Sequence, residues 1–158
     1  MLSNESIRLV KYWRIYPDSH IKINPCSDKI FKSNENMLQH KHLIISALVS
    51  NPISDVEETK KWLNELIDVL EMQPLLPVIA AYCNMSGNKG ITGTALIATS
   101  HIVVHFWDEQ KPAKMELDIY SCKDFSMDQV QPLVARLSPV SMASKFLDRT
   151  SGLTDLTN

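Results

Sequence analysis

The sequence predicts an α+β fold, a two-layer sandwich in which an antiparallel sheet carries helices packed on one face. Three observations lead there. Residues 55–71 place apolar side chains at helical spacing, residues 114–120 alternate polar and apolar as a half-buried strand does, and residues 92–98 and 101–107 are rich in β-formers. The elements then follow in the order strand, helix, three or four strands, helix, strand.

Taken in order, residues 1–38 read as an appendage. Residues 6–23 mix apolar and basic side chains (Val10, Trp13, Ile15 and Tyr16 among them), and turn formers fill 25–28 and 33–36, so the segment offers at most an extra strand or an oligomer contact. Residues 42–49 form an apolar run of strand length. Asn51-Pro52 makes a turn, and Ser54 with Glu57 three residues on has the spacing of a capping box. Val56, Leu63, Leu66, Ile67 and Leu70 then mark one face of a helix, which Pro74 and Pro77 close. Residues 78–83 read as a strand and 85–90 as a loop. After the three central strands, residues 126–137 place Val130, Leu133, Val134 and Leu137 on one helical face, with Pro132 positioned to kink or shorten it. Residues 141–147 suit a last strand, and the tail from Thr150 reads as loose.

The chain has 158 residues, enough for one domain with its own core. A net charge of −2 gives no electrostatic case for nucleic acid. No apolar run reaches the ~18–20 residues of a membrane span, and the N-terminus lacks the pattern of a secretory signal. The three cysteines, Cys26, Cys83 and Cys122, form no CxxC pair and leave one over, which fits a reducing compartment and a cytoplasmic location. His40 and His42 make half of a metal site, but His20 and Cys26 are scattered, so no metal is expected. The loop 85–90 lacks the glycine spacing of a phosphate cradle.

The chemistry concentrates between Gly90 and Cys122. On a regular strand His101, Val103, His105 and Trp107 share one side and Glu109 follows them, while Ile102, Val104 and Phe106 face the core. Two imidazoles, an indole and a carboxylate make a better pocket wall than a helix-covered surface. A serine hydroxyl at 100 can attack the Thr99 carbonyl in an N→O acyl shift, which needs a strained or well-placed peptide and a group that handles protons. The role of His101, adjacent to that serine, is open between structural and chemical.

Gly90-Ile-Thr-Gly93, Ser100-His-Ile with His105, Trp107 and Glu109, and Leu117-Asp-Ile-Tyr-Ser-Cys122 together resemble the prokaryotic S-adenosylmethionine decarboxylase family. The resemblance covers roughly residues 42–148. It implies a layout of an N-terminal extension (1–40), a decarboxylase-like domain (41–150) and a flexible tail (151–158). It further implies self-cleavage between Thr99 and Ser100, giving chains 1–99 and 100–158. The β-elimination that follows would leave a pyruvoyl cofactor derived from Ser100, whose ketone takes up the substrate amine and serves as electron sink. The implied substrate is S-adenosylmethionine, the implied product the aminopropyl donor for spermidine synthesis, and the implied assembly a homodimer. By the same resemblance Thr92 and His105 assist processing, Cys122 donates a proton during catalysis, Glu109 holds the ribose hydroxyls, and Trp107 (or, less well placed, Phe106) stacks on adenine. The chain departs from the family pattern at four points. Thr99 replaces a glutamate, Thr92 a serine and Asp108 a proline, and the segment between Glu109 and Cys122 is about two residues longer. Two other readings stay open: a pyruvoyl-dependent arginine or ornithine decarboxylase, and an uncleaved paralogue that binds a nucleoside or a partner without catalysis.

Overall fold

The computed structural model describes residues 39–157. Its elements are β1 (Lys41–Val49), α1 (Val56–Val69), β2 (Ile79–Cys83), β3 (Gly90–Ile97), β4 (Ser100–Trp107), β5 (Ala113–Ser121), α2 (Met127–Ala135), β6 (Pro139–Asp148) and β7 (Thr154–Asp155). The strands form one sheet in the order β2-β3-β4-β5-β1-β6-β7, and every neighbouring pair is antiparallel. Both helices contribute to a single apolar cluster on one face of this sheet, the expected two-layer α+β sandwich.

Period two in the sequence becomes two chemically different faces. Leu43, Ile45, Ala47 and Val49 of β1, Ile102, Val104 and Phe106 of β4, and Met115, Leu117 and Ile119 of β5 are buried beneath the helices. α1 answers with Trp62, Leu63, Leu66 and Ile67, and α2 with Val130, Leu133 and Val134. Trp62 meets Phe106 edge-on with ring centroids 6.5 Å apart, so β4 is pinned from behind by an aromatic contact. Gly93 gives α1 room: a Cβ there would lie 2.7 Å from both Leu63 Cδ1 and Thr59 Cγ2.

Three local features differ from the sequence expectation. The N-cap of α1 is Asp55, not Ser54; its Oδ1 accepts the Glu58 N–H at 2.9 Å. Both residues sit three positions before a glutamate, and the charged carboxylate is the stronger acceptor for an orphan amide. α2 runs through Pro132 but ends at Ala135, before the apolar pattern does. The tail is not simply loose, since Thr154–Asp155 adds β7 to the edge of β6 and the Leu156 N–H donates to the Phe146 carbonyl at 2.6 Å. An otherwise unpaired strand edge is a strong template for such pairing. The readings made for residues 1–38, including His20 and Cys26, lie outside the described residues. No helix among the described residues is long and apolar enough to cross a membrane.

Candidate active site

The face of the sheet turned away from the helices is open, and cross-strand register orders its side chains into rows. His101 pairs with Tyr120 and Tyr120 with His42; one row on, Val103 pairs with Asp118 and Asp118 with Ile44; next come Thr92, His105, Glu116 and Ser46; then Trp107, Lys114 and Leu48. Exposed Ile44, Leu48 and Leu96 lie among these polar groups. The predicted site residues divide between the two ends of β4.

At the first end, Ile97 pairs directly with Ser100, so Ala98 and Thr99 form a two-residue turn joining β3 to β4. Ser100 has φ of +146°, a region L side chains rarely occupy, so backbone strain is located at Ser100, immediately after the Thr99–Ser100 bond. Adjacent residues on a strand normally point to opposite faces. Here the unusual φ breaks that alternation, and Ser100 Oγ lies 3.1 Å from His101 Nδ1. The Thr99 carbonyl accepts the Cys122 N–H at 3.0 Å, which places Cys122 beside the same peptide despite the longer β4–β5 connection. Thr99 is buried, and its Oγ1 has no partner among the described residues. Thr99, Ser100, His101 and Cys122 are therefore brought together.

At the other end, Thr92 Oγ1 and His105 Nδ1 are 2.5 Å apart across the β3–β4 pair. The His105 ring packs on Trp107 with centroids 3.8 Å apart, and its Nε2 is buried without a partner among the described residues. Burial lowers the His105 pKa from its ordinary value, favouring the neutral imidazole. Trp107 donates from Nε1 to Asn88 Oδ1 at 2.8 Å. Glu109 accepts the Gly87 and Lys89 N–H groups, one on each carboxylate oxygen, at 3.0 and 3.1 Å. Those two amides hold its carboxyl below the usual range. Trp107 and Glu109 line a cleft of about 400 Å³ together with Leu48, Gln110 and Lys114. Five residues of strand separate His105 from Ser100, about 16 Å. In one chain, then, Thr92, His105, Trp107 and Glu109 do not reach Ser100.

Several polar residues that sequence reasoning left aside join the first cluster. Asp118 bonds His101 Nε2 through Oδ1 at 3.2 Å and His42 Nε2 through Oδ2 at 2.9 Å. Tyr120 OH meets His40 Nδ1 at 2.8 Å. The alternation in 114–120 already put Glu116, Asp118 and Tyr120 on the face opposite Leu117 and Ile119; what it lacked was the β1–β5 register that delivers His42. His40 and His42 thus engage Tyr120 and Asp118. Among the described residues no group of three His, Cys, Asp or Glu side chains is arranged to hold a metal ion.

Comparison with known proteins bears on the same region. A family model described as S-adenosylmethionine decarboxylase matches residues 41–150. The chain is 29% identical over 113 residues to the S-adenosylmethionine decarboxylase proenzyme of Hydrogenobaculum sp. (strain Y04AAS1), spanning 68% of this chain and 79% of that protein. It is 28% identical over 127 residues to the proenzyme of the same name from Pyrococcus horikoshii, spanning 73% and 87%. The crystal structure of the adenosylmethionine decarboxylase from Aquifex aeolicus VF5 shares the fold, with a TM-score of 0.57 at 20% identity, covering 78% of this chain and 98% of that one.

Proposed function

The chain belongs to the S-adenosylmethionine decarboxylase family, and we propose that it is a self-processing decarboxylase of S-adenosylmethionine that cuts itself between Thr99 and Ser100. The observation that carries this reading is the state of that one peptide. Ser100 stands at φ +146°, its Oγ is hydrogen-bonded to an imidazole, and the carbonyl it would attack is held by the Cys122 amide. Strain, a proton acceptor and an oxyanion donor are what an N→O acyl shift requires. Thr99 in place of glutamate leaves the attacked carbonyl in place, and its side chain is buried.

These residues suit a pyruvoyl group made from Ser100. Such a group supplies an electron sink for loss of carbon dioxide from a bound amino-acid derivative. Cys122, beside it, is the candidate proton donor to the carbon that loses carboxylate. Trp107 offers an aromatic face, and Glu109 a carboxylate for ribose hydroxyls, at the mouth of the 400 Å³ cleft. A nucleoside entering there competes with the Gly87 and Lys89 amides for Glu109.

The separation of about 16 Å between Ser100 and His105 along one strand is resolved by a homodimer. Both groups face the open side of the sheet, where Ile44, Leu48, Val103 and Leu96 supply apolar surface. A two-fold axis near the Val103–Asp118 row exchanges the ends of β4, so Ser100 of one copy meets Thr92, His105 and the cleft of the other. On this reading the domain comprises residues 41–150, and two complete sites form only in the dimer. The product is the aminopropyl donor used in spermidine synthesis.

The test is a denaturing gel with intact-mass measurement of purified protein. Wild type is expected as two fragments with a blocked N-terminus on the 100–158 piece, and Ser100→Ala as one band. Release of carbon dioxide from S-adenosylmethionine, but not from arginine or ornithine, checks the substrate. A single full-length wild-type species refutes the proposal.

A further inference from the structure

The imidazole beside Ser100 is the first member of a hydrogen-bonded series that crosses three strands. Ser100 Oγ lies 3.1 Å from His101 Nδ1, His101 Nε2 is 3.2 Å from Asp118 Oδ1, Asp118 Oδ2 is 2.9 Å from His42 Nε2, and His42 Nδ1 is 3.3 Å from an Arg149 guanidinium nitrogen. Arg149 at one end and Asp118 in the middle set the directions, because the first only donates and the second only accepts, whereas the Ser100 hydroxyl can do either. Arginine can only donate, so His42 Nδ1 is the bare nitrogen and its Nε2 carries the hydrogen. The Asp118 carboxylate can only accept, so it takes that hydrogen and the one on His101 Nε2. In its neutral form His101 is thereby held with Nδ1 bare, facing the Ser100 hydroxyl. Arg149 is held in turn by stacking 4.4 Å over the Tyr120 ring.

We propose that His101 is the catalytic base of the acyl shift, with Asp118 and His42 as positioning residues that act through it. This rests on the self-cleavage reading and goes beyond it by assigning the first proton transfer to the same chain's own histidine. Ser100 Oγ bonds to the Thr99 carbonyl carbon while its proton passes to His101 Nδ1. The imidazolium so formed faces Asp118, and the oxyanion faces the Cys122 N–H. The bond from the Thr99 carbonyl carbon to the Ser100 nitrogen then breaks, and that nitrogen takes the proton back from His101. An ester and a free amine result, and His101 is neutral again. His105, about 16 Å along the strand, has no part in this step within one chain.

Hydroxylamine separates this step from the later elimination, because it cleaves an ester at neutral pH and leaves an amide intact. Full-length wild type, His101→Ala, Asp118→Asn and the double variant are followed by gel and mass, with and without hydroxylamine and with added imidazole. His101→Ala is expected to cut about 10²–10⁴-fold more slowly. It should gain nothing from hydroxylamine, and imidazole should partly restore it. The His101 side chain is 44% exposed, so its loss leaves the core intact, and rescue by imidazole reports a folded turn. Asp118→Asn should slow the wild-type background yet add nothing to His101→Ala, as a group acting only through His101 must. Cleavage of His101→Ala at the wild-type rate, or a hydroxylamine-sensitive ester accumulating in it, overturns the assignment while leaving self-cleavage standing. An uncut wild type overturns both.

Discussion

Gly90 and Gly93 bracket Thr92, and replacing each by alanine distinguishes two kinds of close approach. At Gly93 the new Cβ would lie 2.7 Å from Leu63 Cδ1 and Thr59 Cγ2, both side-chain ends on α1. Ordinary carbon–carbon contact needs about 0.8 Å of retreat. Leu63 and Thr59 are fully buried, so the retreat is shared with the core behind them. Overpacking of this size costs about 1–3 kcal/mol. Alanine's smaller chain entropy in the unfolded state returns about 0.5–1 kcal/mol of that. At Gly90 the Cβ would fall 1.9 Å from the Phe106 carbonyl oxygen, main chain of the paired strand. No rotamer change relieves it; the Gly90–Trp107 rung must open, at a cost on the order of 4 kcal/mol or more. Urea unfolding in the Ser100→Ala background, which keeps the chain continuous, measures both as shifts in midpoint at constant slope. Gly90→Ala within about 0.5 kcal/mol of its parent, or less damaging than Gly93→Ala, would show the β3–β4 register to be wrong.

Three further outcomes follow from named groups. Asp55→Ala should cost about 1 kcal/mol through the lost α1 cap, whereas Ser54→Ala should cost about nothing; equal losses would return the cap to Ser54. Thr99→Val removes a buried hydroxyl that has no partner among the described residues and keeps the shape, so it should stabilise by about 1 kcal/mol in the same unfolding assay; a loss would reveal a hydrogen bond there. His105 has its folded pKa lowered below the ordinary 6.5 by burial, so below neutrality the unfolded chain binds the extra proton. Stability should therefore fall as pH drops through about 6.5 towards the lowered folded value. His105→Gln should lack that component, and parallel pH curves for the two proteins would refute it.

Strand and helix identities follow from the sequence because they depend on local period. The alternation in 114–120 and the helical spacing from Val56 to Leu70 survive any tertiary context that buries one face. Ser100, Thr92, His105, Glu109 and Cys122 likewise stood out as candidates by their spacing. The pairing of distant strands was not visible. His42 and Asp118 are 76 residues apart and meet only because β1 inserts between β5 and β6. The inverted side of Ser100 was equally hidden, since a φ of +146° at a serine obeys no propensity. The choice between Ser54 and Asp55 turned on acceptor strength, which spacing alone does not weigh. The short β7 arises from an edge needing a partner, a demand set by the finished sheet and not by residues 154–155.

The strand order has a consequence for the life history of the molecule. The proposed cut at the β3–β4 turn would assign β1, α1, β2 and β3 to one polypeptide and β4, β5, α2, β6 and β7 to the other. Along the sheet these alternate: β2-β3, then β4-β5, then β1 alone, then β6-β7. The first polypeptide would thus be woven through the second, with β1 clamped on both edges by strands of the other chain. Neither piece would own a contiguous sheet, so each would depend on the other for strand pairing. Assembly would then have to be completed while the chain is whole, because a severed molecule that melts would face a search between two separate partners that an uncut one does not face.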